Sequence, residues 1–129
     1  MHRLALAFLL LIAATGTLRA ADAPTQRFVV FFQEWSAALD DSAQSVISQA
    51  ADYVKSHPGY VARVNGFASN VGSRQANILL ADLRAQIVAD QMVSDGLAAG
   101  RIRQRGRGPV PFALTAQESR RVEISVHRR

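Results

Sequence analysis

The stretch YVARVNGFASNVGSRQANILLADLRAQIVADQMVSDG, residues 60–96, changes its hydrophobic period partway along, and that change decides the fold. From Tyr60 to Ala68 the residues alternate. Tyr60, Ala62, Val64 and Gly66 fall on one face and Val61, Arg63, Asn65 and Phe67 on the other, as a strand requires. Ser69 to Gly72 is a loop. Ser73 to Asp95 then reads as a long helix with Leu80, Leu83, Ile87, Val88 and Met92 as its apolar stripe, stopped at Gly96. A strand, a short loop and a long helix in that order are the building unit of α/β architectures.

Upstream, Arg27 to Phe32 is a continuous β-branched and aromatic run, the pattern of a strand buried on both faces. Leu39, Ala43, Val46, Ile47, Ala50 and Val54 recur at helical spacing, with Asp40 or Asp41 as the N-cap. Pro58 disfavours helix at His57 and Gly59 permits the turn, so this helix ends at Ser56 to Gly59. Downstream, Arg101 to Arg107 reads as a third strand, Pro109 and Pro111 open a loop, and Arg121 to His127 reads as a fourth strand. The order βαβαββ predicts an α/β two-layer sandwich, a mixed four-stranded sheet with two helices on one face.

The chain has 129 residues and is 49% apolar, which bounds it to about one domain. Its first residues do not read as part of that domain. Met1-His2-Arg3 is a basic start, Leu4 to Ala14 is unbroken apolar sequence, and Leu18-Arg19-Ala20 offers a small residue at a cleavage point. Residues 1–20 are therefore expected to be a secretory signal peptide, residues 21–26 a short polar lead and residues 27–129 the folded domain. The alternative is an uncleaved membrane anchor, but eleven apolar residues rise only about 16 Å, roughly half of a hydrocarbon core, and nothing after Ala20 comes close to a spanning helix, so no membrane span is expected after cleavage. There is no cysteine, hence no disulfide framework and no lipid-bearing cysteine. The expectation is a stand-alone exported domain in the periplasm, associated with the wall or the outer membrane.

The formal charge of +5 falls to +3 without Arg3 and Arg19, and the C-terminal third carries it. Arg101, Arg103, Arg105, Arg107, Arg120, Arg121, Arg128 and Arg129 face only Glu118 and Glu123 there. Export argues against nucleic acid and for an envelope polyanion as the partner of such a field. Arg101, Arg103, Arg105 and Arg107 alternate with Ile102, Gln104 and Gly106, so one strand would line four guanidinium groups along a face. They are candidate polyanion contacts, or else a charged edge that resists strand-to-strand aggregation.

Arg84 stands out on the long helix. Its neighbours at three and four residues are Leu80, Ala81, Ile87 and Val88, so no acidic residue is placed for a helical salt bridge. Asn77 lies two turns earlier on the same face, and the Ser69 to Gly72 loop feeds a helix start whose free N–H groups favour an anion. This predicts a carboxylate clamp, an arginine fork with amide donors. The alternative is that Arg84 reaches water or pairs with Glu34, Asp41 or Glu123. Trp35 and Phe67 could stack on sugar rings or belong to the core. His57 and His127 have no visible nucleophile or carboxylate partner, and no cofactor, metal site or enzymatic activity is expected.

Taken together, Phe31-Phe32, Ser36 to Leu39, Gly66 to Ser73, Asn77, Leu80, Arg84-Ala85, Val88, Gly96, Arg101-Ile102, Gly108 and Arg120 to Ile124 resemble the OmpA-like C-terminal domain. That family also includes the peptidoglycan-associated lipoproteins and the flagellar stator C-terminal domains. The resemblance implies non-covalent binding of peptidoglycan, in which an Asp takes the ammonium of a diaminopimelate stem peptide and an Arg its carboxylate. In this sequence the Arg position is Arg84 and the intervening Asn is Asn77, but the Asp position is Ser69. Asn70 could supply an acceptor one residue late, and Phe67 fills the aromatic position of the motif. A polar residue that the family often carries after its first strand falls at Trp35. The resemblance thus implies weakened peptidoglycan binding. The alternative is a degenerate module that serves an envelope protein partner and binds no peptidoglycan.

Overall fold

The computed structural model describes residues 25–110 and 116–129. The expected leader and Pro111 lie outside them. The elements are β1 (Gln26–Phe31), α1 (Asp41–Lys55), β2 (Tyr60–Ser69), α2 (Arg74–Ser94), a 3-10 turn (Ala99–Arg101), β3 (Ile102–Val110), a short α3 (Ala116–Ser119) and β4 (Arg121–Arg128). The sheet order is β1-β4-β2-β3, with β2 and β3 parallel and both pairings of β4 antiparallel. It is the expected mixed sheet. α1 and α2 cover one face, where Val30, Ala62, Val64, Val122, Ile124 and Val126 meet Ile47, Ala50, Val54, Ala85, Val88 and Met92. No helix among the described residues is long and apolar enough to cross a membrane.

Of the two candidate caps for α1, Asp40 is the one used. Its side chain accepts the Ala43 N–H at 2.7 Å while its own backbone is extended. Asp40→Ala is expected to cost about 1 kcal/mol, read as a lower urea midpoint at unchanged slope.

Four expectations need correction. β1 is not buried on both faces. It is an edge strand paired only with β4, so Val30 is buried under the helices while Phe31, on the open face, is 43% exposed. The stripe expected on α2 is rotated, with Leu83 46% exposed and Asn77, Ala81, Arg84, Ala85, Val88, Ala89 and Met92 buried. Small residues occupy that face because α2 lies close against glycine positions of the sheet. A Cβ added at Gly66 would overlap the Ala81 carbonyl oxygen, and one at Gly106 would overlap Asp82.

The third strand begins after Arg101, which belongs to the 3-10 turn, and runs on through Pro109. A register shift between Gly66 and Ala68 brings Pro109 opposite Ala68, and β3 is the outer strand, where a missing N–H is tolerated. The polar lead is also shorter than expected. Gln26 is already strand, and Thr25 donates through its N–H and its Oγ1 to the Val126 carbonyl, at 2.8 and 2.9 Å.

Candidate functional site

Arg84 projects from α2 into the junction between the end of β2 and the loop that follows β1, and it is fully buried. Its Nε donates to the Ser36 carbonyl at 2.8 Å. One terminal nitrogen donates to the Phe67 carbonyl at 3.0 Å and the other to the Gln33 carbonyl at 3.1 Å. The guanidinium carbon lies 5.2 Å from the centre of the Phe32 ring. None of Glu34, Asp41 or Glu123 forms an ion pair with it, which corrects that expectation. An arginine carries five N–H donors, so two remain free of these carbonyls.

Burial, with a smaller repulsion from Arg120, lowers the Arg84 pKa to about 10. The group stays cationic at neutral pH although no described residue forms an ion pair with it. Arg120 reinforces this field while its own Nε donates to the Phe32 carbonyl at 3.1 Å. Arg84 and Arg120 line a small cavity of about 10 Å³ together with Glu34, Trp35, Ser69, Asn77 and Leu80. That is space for roughly one water molecule.

The predicted site residues divide. Ser69, Asn77 and Arg84 do meet at this cavity. Asn77 is buried and spends its amide on the loop, donating to the carbonyls of Val71 at 2.8 Å and Ser73 at 2.9 Å. It shapes the loop that carries Ser69. The Ser69 Oγ accepts the Val71 N–H at 3.3 Å, and Ser73 caps α2 through the Ala76 N–H at 3.2 Å. Asn70 is exposed and is not among the residues lining the cavity. Phe67 contributes only its carbonyl, because strand alternation sends its ring to the opposite face, where the Arg121 guanidinium stacks on it at 4.1 Å.

Trp35, 54% exposed, lies beside the cavity with a left-handed φ of 52° that a non-glycine residue seldom adopts. A Cβ at Gly72 would sit 3.3 Å from its indole, so the ring lies over the Gly72 loop. Arg120 was missed as a site residue. The signal was available, since Val122, Ile124 and Val126 face the helices and the period of two carries Arg120 to that same side.

The arginine row is also divided. Arg101 donates to the carbonyls of Val54, His57 and Tyr60 at 2.7 to 3.1 Å, closing the end of α1 onto the sheet, and so is a structural tie. Arg103, Arg105 and Arg107 are exposed. A larger hollow of about 600 Å³ lies between β1 and the start of α1, reaching Arg120. Its one carboxylate, Asp40, is engaged as the α1 cap.

Fold and site together define a small α/β domain built around a buried guanidinium that forms no ion pair with any described residue. The profile of the OmpA family matches residues 31–124, and the chain belongs to that family. It is 36% identical over 104 residues to the peptidoglycan-binding protein ArfA of Mycobacterium tuberculosis, an alignment covering 76% of this chain and 32% of ArfA. It is 33% identical to the probable lipoprotein YiaD of Escherichia coli, covering 75% of this chain and 47% of YiaD. The chain thus spans about a third to a half of these relatives.

Among solved structures, the peptidoglycan-associated lipoprotein of Burkholderia pseudomallei superposes with a TM-score of 0.73 at 24% identity, over 85% of this chain and 98% of that one. The C-terminal domain of Helicobacter pylori MotB gives 0.69 at 20% identity, over 78% of this chain and 84% of that domain. These likenesses fix the fold.

Proposed function

We propose that this protein is exported to the periplasm by a cleaved leader and associates non-covalently with peptidoglycan, holding a stem-peptide carboxylate at Arg84. The observation that carries this reading is a fully buried guanidinium with no ion-pair partner among the described residues, beside a second guanidinium, on the wall of a small cavity. Such a site is completed by an anion. The kinship with ArfA, named for peptidoglycan binding, supports the same partner.

Binding is weaker than in a site with an aspartate at position 69. Ser69 offers the diaminopimelate ammonium at best a neutral hydrogen bond, a loss of about 1–2 kcal/mol or roughly 5- to 30-fold in affinity. Asn70, exposed and away from the cavity, does little to restore it. The function is binding and not catalysis, with no cofactor or metal involved.

A second reading has an observation in its favour. Arg84 already satisfies three backbone carbonyls, and the cavity holds only about one water, as expected of a module retained for an envelope protein partner.

Co-sedimentation with diaminopimelate-type sacculi separates the two. Wild type is expected in the pellet, released by free diaminopimelate, with Ser69→Asp bound about 5- to 30-fold more tightly. Wild type left in the supernatant at all concentrations, with only Ser69→Asp sedimenting, would establish the second reading.

A further inference from the structure

The sheet face turned away from the helices has a chemistry of its own. Strand register sets Arg27 of β1, Ser125 of β4, Arg63 of β2 and Arg103 of β3 in one transverse row. The next row holds Val29, Glu123, Asn65 and Arg105. Arg107 reaches the same face, its Nε donating to Asn65 Oδ1 at 3.1 Å. Neighbouring strands lie about 4.8 Å apart, so Arg63 and Arg103 stand side by side, a like-charge pairing that weakens a sheet.

Glu123 is the one acid that the four strands themselves place on this face, and Arg121 holds it at 3.1 Å. Arg27, Arg63, Arg103, Arg105 and Arg107 are all exposed and form no ion pair with any described residue. Protection of a sheet edge explains charge on β3, the outer strand. It does not explain Arg63, which sits on a strand with neighbours on both sides.

We propose that this open face is an interaction surface for an anionic polysaccharide, whose acidic groups the five guanidiniums grip. The surface lies on the opposite side of the sheet from Arg84 and is independent of the stem-peptide reading. Alternate residues of β3 are about 6.7 Å apart, so Arg103 to Arg107 form a stripe of about 13 Å, with Arg63 and Arg27 extending the positive field across the sheet.

The neighbouring groups select among polyanions. Single-stranded nucleic acid is held by basic grooves with aromatic platforms, whereas the Phe67 ring here is already stacked under Arg121. A membrane surface needs apolar side chains to insert, and among the described residues the one large exposed hydrophobic residue that the strands place on this face is Phe31, on the strand farthest from β3. Guanidinium groups paired with the carboxylates or sulfates of a hydrated sugar chain need neither.

The test uses the full chain and heparin as the probe, comparing Arg63→Gln/Arg105→Gln with Arg74→Gln/Arg128→Gln, which removes the same charge elsewhere. Wild type should be retained on heparin and eluted by moderate salt, since exposed charges are screened. The Arg63/Arg105 variant should lose at least about tenfold in affinity and the control less than about twofold, with the thermal midpoint of the Arg63/Arg105 variant no lower than that of wild type. Equal losses in the two variants would reduce the effect to net charge and overturn the proposal. So would absence of retention, or a larger loss by the Arg63/Arg105 variant toward duplex DNA or anionic vesicles than toward heparin.

Discussion

Arg84→Ala is expected to lower the free energy of unfolding by about 3 kcal/mol, a larger effect than any surface arginine should give. The three carbonyls that Arg84 satisfies come from two separate segments, Gln33 and Ser36 in the loop after β1 and Phe67 near the end of β2. One side chain of α2 therefore ties the loop, the sheet and the helix together. Truncation leaves three acceptors without their charge-assisted donor, at about 1–3 kcal/mol each where they stay buried, and opens a cavity besides. Against this stands relief of a charge buried without a counter-ion, which the lowered pKa of about 10 registers. Acceptor loss outweighs that relief, because three bonds fail at once.

Arg84→Lys should recover only part of the loss, since a single ammonium nitrogen cannot reach carbonyls that a planar fork meets in three directions. Urea unfolding of the two variants measures both effects, and an Arg84→Ala protein within about 0.5 kcal/mol of wild type would sink this account. The pH dependence has a definite sign. The folded pKa of about 10 lies below that of the free group, so the unfolded chain binds more protons only in the alkaline range above about pH 10. Deprotonating Arg84 thus adds relative stability only in that alkaline window. Its burial contributes no slope between pH 5 and 9.

The same geometry makes Arg84→Ala a poor probe of ligand binding, because the variant loses the frame of the site along with its charge. Ser69→Asp is the cleaner probe. Ser69 lies half-buried at the cavity wall, and its one hydrogen bond, from the Val71 N–H at 3.3 Å, is one that a carboxylate also accepts.

What could be read in advance followed the periodicities. The alternation over residues 60–68 and the helical spacing after Ser73 identify β2 and α2 to within a residue or so, and Asp40 was one of two candidate caps for α1. Legibility failed where a backbone group, invisible in a pattern of side chains, is the partner. Arg101 looks like the first of four alternating arginines, yet it turns to three carbonyls around the end of α1. The lack of a helical acid marks Arg84 in the sequence, but its partners, carbonyls of residues 33, 36 and 67, leave no mark there. The α2 stripe failed for a related reason. Leucines usually mark the buried side of a helix, but here the helix lies so near the sheet that Ala81 and Ala85 face Gly66 and the backbone at Asp82 faces Gly106.

That close approach makes Gly66→Ala the second substitution with a large expected effect, about 3 kcal/mol of destabilisation. The backbone of Gly66 is ordinary for a strand, with no positive φ, so the requirement for glycine is one of space. An added Cβ would overlap the Ala81 carbonyl oxygen and stand 3.0 Å from both the Ala85 nitrogen and the Ala85 Cβ. Two of these are helix backbone atoms. Unlike the end of a flexible side chain, they yield only if α2 as a whole moves away from β2. Arg84 lies in the sequence between Ala81 and Ala85, so that displacement would stretch its bonds to residues 33, 36 and 67 as well. The two substitutions should therefore overlap in effect, the Gly66→Ala/Arg84→Ala double variant losing less than the sum of the singles. Gly100→Ala provides the contrast, since nothing lies within 4 Å of its Cβ position and its φ is not positive, so it should leave the midpoint nearly unchanged. Denaturant midpoints for the four proteins decide the matter. A Gly66→Ala chain as stable as Gly100→Ala would mean that α2 can slide along the sheet at little cost, and that the frame around Arg84 is looser than its three hydrogen bonds imply.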